Sequence, residues 1–238
     1  MRWTGAFFFG DCWAAYRGPA GDNAPHAHAA LQVTLGIESD VAMINAAGAR
    51  IVGQGLVARA GAIHQLEQDQ DVVVLLCDPT SAAGPSLKNF CRTEDIVELP
   101  GPITSGFPVN GPLANLLDHF ARSTPLLDLR LERALAFLEL EGGRRIQEAA
   151  RHCGLSPARL RSIAAAQLGV PLTRWQNWRM LRRAGLALTE GVSLADAAQA
   201  GGFSDQAHFS RTMRSMTGLT PSSAREPLSS TSDPFKTS

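Results

Sequence analysis

The sequence predicts an α+β chain of two domains, an all-β half followed by an all-α half. Three observations carry this. The hydrophobic pattern changes near Leu126, from short alternating runs punctuated by Gly, Pro and Asp to helical spacing. The formal net charge of zero hides an asymmetry: residues 1–128 hold 7 Lys/Arg against 13 Asp/Glu, and residues 129–238 hold 15 against 9. Two stretches of the second half also share one layout, although they differ in most residues. A length of 238 residues is enough for one or two domains.

In the first half, LQVTLGI (31–37), DVAMI (40–44), RIVG (50–53) and DVVVLLCD (71–78) read as short strands, with turn signals such as GPAGDNAP (18–25) between them. Many short strands in close succession imply a sandwich or small barrel. The early AFFFG is too short for a signal-peptide core and runs into Asp11. No apolar run approaches the ~20 residues of a membrane helix, so a cytoplasmic location is expected. Cys12, Cys77, Cys91 and Cys153 are scattered without a CxxC pair and read as reduced thiols.

Between the halves, Leu113, Leu116, Leu117 and Phe120 of NGPLANLLDHFARSTP (110–125) form a stripe on one helix. The stripe either packs on its own domain or makes a dimer contact. The expected division is a β domain at 1–105, a linker with this helix at 106–125, a helical domain at 126–225 and a disordered tail at 226–238.

The helical half opens with LDLRLERALAFLELE, in which Leu129, Leu131, Ala134, Leu138 and Leu140 are mixed with charges. Then IQEAARHCGLSPARLRSIAAAQLGVPL (146–172) and LADAAQAGGFSDQAHFSRTMRSMTGLTP (194–221) follow one plan. Each has a short helix with two alanines, a Gly, an apolar residue, a Ser to cap a second helix, and an end at Gly. That is a helix-turn-helix layout, whose second helix can lay its outer face in a major groove. Ser204 is the expected N-cap of the last helix, with Asp205 in its first turn and Gly218 as its left-handed end. Phe209, Met213 and Met216 make its buried face. The long helix RWQNWRMLRRAGLAL (174–188) joins the units, with Trp175, Trp178, Leu181 and Leu188 available for packing.

These residues resemble the DNA-binding domain of AraC/XylS-type transcription regulators over about residues 129–225. The second unit carries most of the likeness, through Ala197, Ala198, Gly202, Phe203, Ser204, Asp205, Gln206, His208, Phe209, Ser210, Arg211, Thr217, Gly218, Thr220 and Pro221. The first unit matches at Gly154, Leu155, Ser156, Leu160, Gly169 and Pro171. It departs at Ser162 and Ala164, where the family usually has Arg and Phe; Arg161 is then the long donor there. The resemblance implies base-facing roles for Gln206, Ala207, Ser210 and Arg211, and for Ala158, Arg161 and Ser162. The chemistry agrees, since Arg pairs with guanine, Gln with adenine and Ala with a thymine methyl. Arg179, Arg214 and Arg225 are expected phosphate contacts, the alternative being solvated surface charges. His208 reads as a packing or capping residue. One chain would span two adjacent major grooves about 34 Å apart.

In the acidic half, His26 and His28 of PHAHAALQ (25–32) stand i, i+2 and share a face on a strand, as does Gln32. His64 follows in RAGAIH (59–64). The spacing resembles the two cupin motifs, with Gln32 in place of the acid and Arg59 in place of the Pro. The resemblance, over about residues 5–100, implies a cupin-like barrel with His26, His28, Gln32 and His64 around a divalent transition metal (Zn, Fe, Ni or Cu). The alternative is a polar pocket floor for an organic ligand.

Together the two resemblances imply a non-enzymatic regulator. It binds a double-stranded DNA operator and answers a small molecule or metal in the cupin-like half. A homodimer is implied, with RNA polymerase as partner if the chain activates. A metal-dependent cupin enzyme with a helical appendage rests on the histidines alone, with no second acid–base pair, nucleophile motif or phosphate loop beside them. A constitutive DNA-binding protein with an inert β half is the third reading.

Overall fold

A computed structural model describes residues 2–92, 94–104, 118, 120–121, 127–140 and 145–224. The first half is built from β1 (Ala6–Gly10), β2 (Trp13–Pro19), β3 (Leu31–Gly36), β4 (Val41–Asn45), β5 (Arg50–Gly53), β6 (Gly55–Ala58), β7 (His64–Leu66), β8 (Asp71–Cys77) and β9 (Ile96–Glu98). A six-stranded sheet runs in the order β1-β2-β8-β3-β6-β9 and a three-stranded sheet in the order β5-β4-β7, with every pairing antiparallel. The described residues thus give two sheets, and an isolated bridge from His26 to His64 adds the segment before β3 to the smaller one.

The four strands read from the sequence are β3, β4, β5 and β8, each within a residue or two. In β3 the five residues Leu31–Leu35 are all buried, and β8 is buried from Val72 to Leu75. Both central strands are covered on both faces; β8 reads as a continuous apolar run, whereas β3 alternates and buries Gln32 and Thr34 as well. AFFFG is an edge strand, β1. Two short helices, α1 (Gly84–Phe90) and α2 (Gly101–Thr104), flank β9.

The helical half comprises α3 (Leu129–Leu140), α4 (Ile146–His152), α5 (Pro157–Leu168), α6 (Leu172–Thr189), α7 (Leu194–Gly201) and α8 (Gln206–Thr217). In α3, Leu131, Ala134 and Leu138 are buried, whereas Leu129 is exposed. Helices α4 and α5 form the first helix-turn-helix unit, α7 and α8 the second, and α6 joins them. Ser156 caps α5 by accepting from the N–H of Arg159. The start of α8 differs from expectation. Its N-cap is Asp205, not Ser204, and the Asp205 carboxylate accepts from the His208 N–H at 2.6 Å. A charged acceptor at the positive helix end is the stronger cap, and Ser204 Oγ supports it at 3.1 Å. His208 sets its ring edge-on to Phe203.

None of the described helices is long and apolar enough to cross a membrane. All four cysteines are free. Leu113, Leu116 and Leu117 of the expected dimer stripe lie outside the described residues, as does the tail. Phe120 is buried, with its ring edge-on to Phe90.

Candidate functional site

The two recognition faces point outward. On α5, Ala158, Arg161 and Ser162 are exposed, while Leu160, Ile163, Ala164 and Leu168 are buried. On α8, Gln206, Ala207, Arg211 and Arg214 are exposed, and Phe209, Met213 and Met216 are buried. Ser210 is half-buried and its hydroxyl donates to the Gln206 carbonyl at 2.8 Å. The base-facing candidates therefore sit on accessible faces held by an apolar underside. Arg225 lies outside the described residues.

Arg179 departs from its expected role as a phosphate contact. Its side chain is 11% exposed and donates to both Glu139 oxygens at 2.5 and 2.8 Å. It also donates to the carbonyl of Asp11 at 2.8 Å and lies 3.5 Å from Asp78, which is fully buried. Trp175, one turn earlier on α6, donates its indole N–H to Asp78 at 3.2 Å. Arg182 donates to the Gly10 carbonyl at 2.6 Å. Arg179 and Arg182 thus tie α6 to the β half and Arg179 ties it to α3, because Asp78 and the turn after β1 lie directly against that helix.

The histidine cluster lies at the junction of the two halves. His26, His28 and His64 are buried, and ring nitrogens drawn one from each lie within 4.8 Å of one another. Every Nδ1 faces a backbone carbonyl: Ala24 for His26 at 2.9 Å, Ala30 for His28 at 2.8 Å, and Ala62 for His64 at 3.0 Å. A carbonyl only accepts, so each Nδ1 carries the proton and each Nε2 keeps a lone pair. Gln32 Oε1 sits 2.9 Å from His28 Nε2 and 3.1 Å from His64 Nε2, and its NH2 donates to Thr34. Acceptors therefore face acceptors. Turning the amide over supplies donors to both rings; a cation among them satisfies all four ligand atoms. Burial, followed by its neighbour His28, lowers His26 to about 4. Burial also lowers His28 and His64. The imidazoles are neutral at pH 7, the form that ligates metals.

A cavity of about 110 Å³ opens beside the cluster. Trp3, Phe7 and Tyr16 wall it from the β half, Trp178 and Arg182 from α6, and Phe209 and Met213 from α8, with His26, His28 and Gln32 on one side. Trp178 Nε1 and Arg182 Nε are buried N–H donors without an acceptor among the described residues. They are four residues apart on α6, hence on one face. The sequence predicts packing for Trp178 and places Arg182 among the arginines spread along the long helix, but gives no role to Asp78 or Glu139. The one available signal was Asp78 at the end of an apolar strand.

Residues 149–227 match the family model of a helix-turn-helix domain. The arabinose operon regulatory protein of Escherichia coli is 31% identical over 105 residues, which are 42% of this chain and 36% of that protein. Its Salmonella typhimurium counterpart is 36% identical over 81 residues, 34% of this chain and 29% of that protein. The matched stretches span about a third of these relatives. Among solved structures, ToxT from Vibrio cholerae aligns over 92% of this chain and 98% of its own, with a TM-score of 0.60 at 13% identity. Unsaturated fatty acid bound ToxT aligns over 93% and 98%, with a TM-score of 0.59 at 11% identity. The likeness to ToxT is one of fold. The resemblance to AraC/XylS-type regulators and the two-domain α+β fold are borne out.

Proposed function

We propose that this chain is a sequence-specific DNA-binding transcription regulator whose β half holds an effector against its DNA-binding half. One observation carries the reading. The cavity is walled by both halves, and its helical wall is made by α6 and α8, the helix joining the two units and the second recognition helix. An occupant therefore touches the parts whose arrangement sets DNA contact, and it biases whichever arrangement it fits better. A constitutive binder with an inert β half does not account for a cavity shared in this way. The reading gives the chain no catalytic role.

Size restricts the effector. An engineered apolar cavity of ~150 Å³ accepts benzene, and this one is about 110 Å³. The closed arrangement suits a small molecule of about that size. A long chain such as the fatty acid in ToxT requires α6 and α8 to move off the β half. Partners under this reading are operator DNA, a second copy of the chain and, for activation, RNA polymerase.

The histidine cluster extends the reading to a divalent transition metal held by His26, His28, His64 and Gln32. Three neutral imidazoles and an amide oxygen suit such an ion, and the convergence of the three rings, with nitrogens within 4.8 Å of one another, supports it. When bound, the ion supplies positive charge beside an otherwise apolar cavity.

The test is selection of binding sequences from a random duplex pool by the full chain. Enrichment of a two-part motif with half-sites about one helical turn apart is expected. A pool that stays random after repeated rounds sinks the reading.

A further inference from the structure

Resting on the reading of the histidine cluster as a cation site, we infer that cation binding there sets the pose of recognition helix α8, through the contact between Ala24 and Gly218. The ligand-bearing segment and the helix end touch directly. The Ala24 N–H donates to the Gly218 carbonyl at 3.2 Å. The Ala24 carbonyl accepts from His26 Nδ1 at 2.9 Å. One residue thus holds both the helix end and a ligand ring. Gly218 closes α8 in the left-handed region at φ 71. A Cβ there would run into the Ala24 carbonyl and lie 3.0 Å from His26 Nδ1. The approach is as close as backbone allows.

Movement at this contact reaches the DNA face. Helix α8 runs unbroken for 12 residues, about 18 Å at 1.5 Å per residue, and moves as a rod. Arg211 and Gln206 stand along it. The same segment is tied to a second ligand residue, because His26 and His64 exchange two backbone bonds of 2.9 Å. The ring nitrogens now lie within 4.8 Å of one another. A tetrahedral ion at ~2.0–2.1 Å from each nitrogen holds them roughly 3.4 Å apart. Binding therefore draws the rings together by no more than roughly 1.4 Å. The pull on His26 is passed through Ala24 to Gly218.

The experiment uses the full chain, Zn²⁺ as the only probe, and the duplex recovered by selection. About one Zn²⁺ per chain is expected, with operator Kd changing at least ~5-fold on its addition, the low end of ordinary allosteric coupling. Linkage requires operator DNA to change the Zn²⁺ Kd by the same factor. Without DNA, Zn²⁺ slows amide exchange at Ala24 and Gly218. His26→Ala/His28→Ala abolishes uptake and response together. Gly218→Ala keeps uptake and loses the response. Should that variant not fold, reciprocity and exchange in the wild type decide. Uptake with unchanged operator affinity, or a full response in folded Gly218→Ala, overturns the coupling and leaves the cation site standing. No uptake overturns both. The exchange measurement needs no DNA, so a failure of the regulator reading still leaves it decisive: unchanged exchange on uptake refutes the coupling.

Discussion

Arg179, midway along α6, lies 3.5 Å from Asp78 at the end of β8. Asp78 is fully buried, and its Oδ2 has no hydrogen-bond partner among the described residues. Its Oδ1 accepts from Trp175 and Thr80, and Arg179 supplies the positive charge beside the carboxylate. Removing one partner of a buried pair leaves the other uncompensated, which costs about 3–5 kcal/mol. Arg179→Met is expected to lower unfolding free energy by that amount in urea denaturation. A loss near the ~0–1 kcal/mol of a surface pair would show that Asp78 finds water instead.

Arg211 and Arg214 share α8 and differ in expected role. Arg211→Ala is expected to weaken specific binding by ~1–3 kcal/mol and relax preference at one base position. Arg214→Ala is expected to weaken binding evenly across sequences and reduce the salt slope by about 1. Titrations of the selected duplex and a scrambled one, at several salt concentrations, separate the two. An Arg211→Ala protein as selective as wild type would remove α8 from base readout.

The recognition faces were legible because their signal is local. Helical spacing of Phe209, Met213 and Met216 fixes which face is inward, and Gly218 fixes where the helix stops. Central strand β8 was legible as a dense apolar run and β3 as an alternating one. Edge strand β1 was not, since AFFFG is only half-buried and its partner surface belongs to a distant helix: a Cβ at Gly185 of α6 would meet the Phe9 ring. Arg179 was misread for the same reason. An arginine on a basic helix looks the same in sequence whether it faces DNA or a carboxylate 101 positions earlier, as Asp78 is. The histidines were found by strand spacing, but their tautomers, which decide what they can hold, depend on three backbone carbonyls.

Acid is expected to destabilise the metal-free protein before its carboxylates titrate. His26 falls from 6.5 to about 4 on folding, chiefly through burial. Between those values the unfolded chain binds a proton that the folded chain does not, so stability is complete above pH ~6.5 and falls as pH drops toward 4. His26 alone contributes roughly 3 kcal/mol across that window, and the lowered His28 and His64 act in the same direction. Urea midpoints at pH 7 and pH 5, for wild type beside His26→Phe, measure this. Equal pH dependence in the two proteins would mean that the ring is hydrated in solution.

The unpaired donors of α6 make a prediction about ligand class. Trp178 Nε1 and Arg182 Nε have no acceptor among the described residues, and a buried N–H left so costs about 1–3 kcal/mol. A ligand bringing an acceptor into the cavity recovers that cost, whereas a hydrocarbon of equal size only fills space. Benzoate is therefore expected to raise Tm more than toluene at equal concentration, since stabilisation follows the ratio of ligand to Kd. A charge-assisted hydrogen bond of ~1.5–3 kcal/mol corresponds to an affinity advantage of roughly 10- to 150-fold. Arg182→Met should erase that advantage while leaving the toluene shift intact. Equal shifts from the two ligands in wild type would place the unpaired donors out of the occupant's reach, and the effector would then be chosen by shape alone.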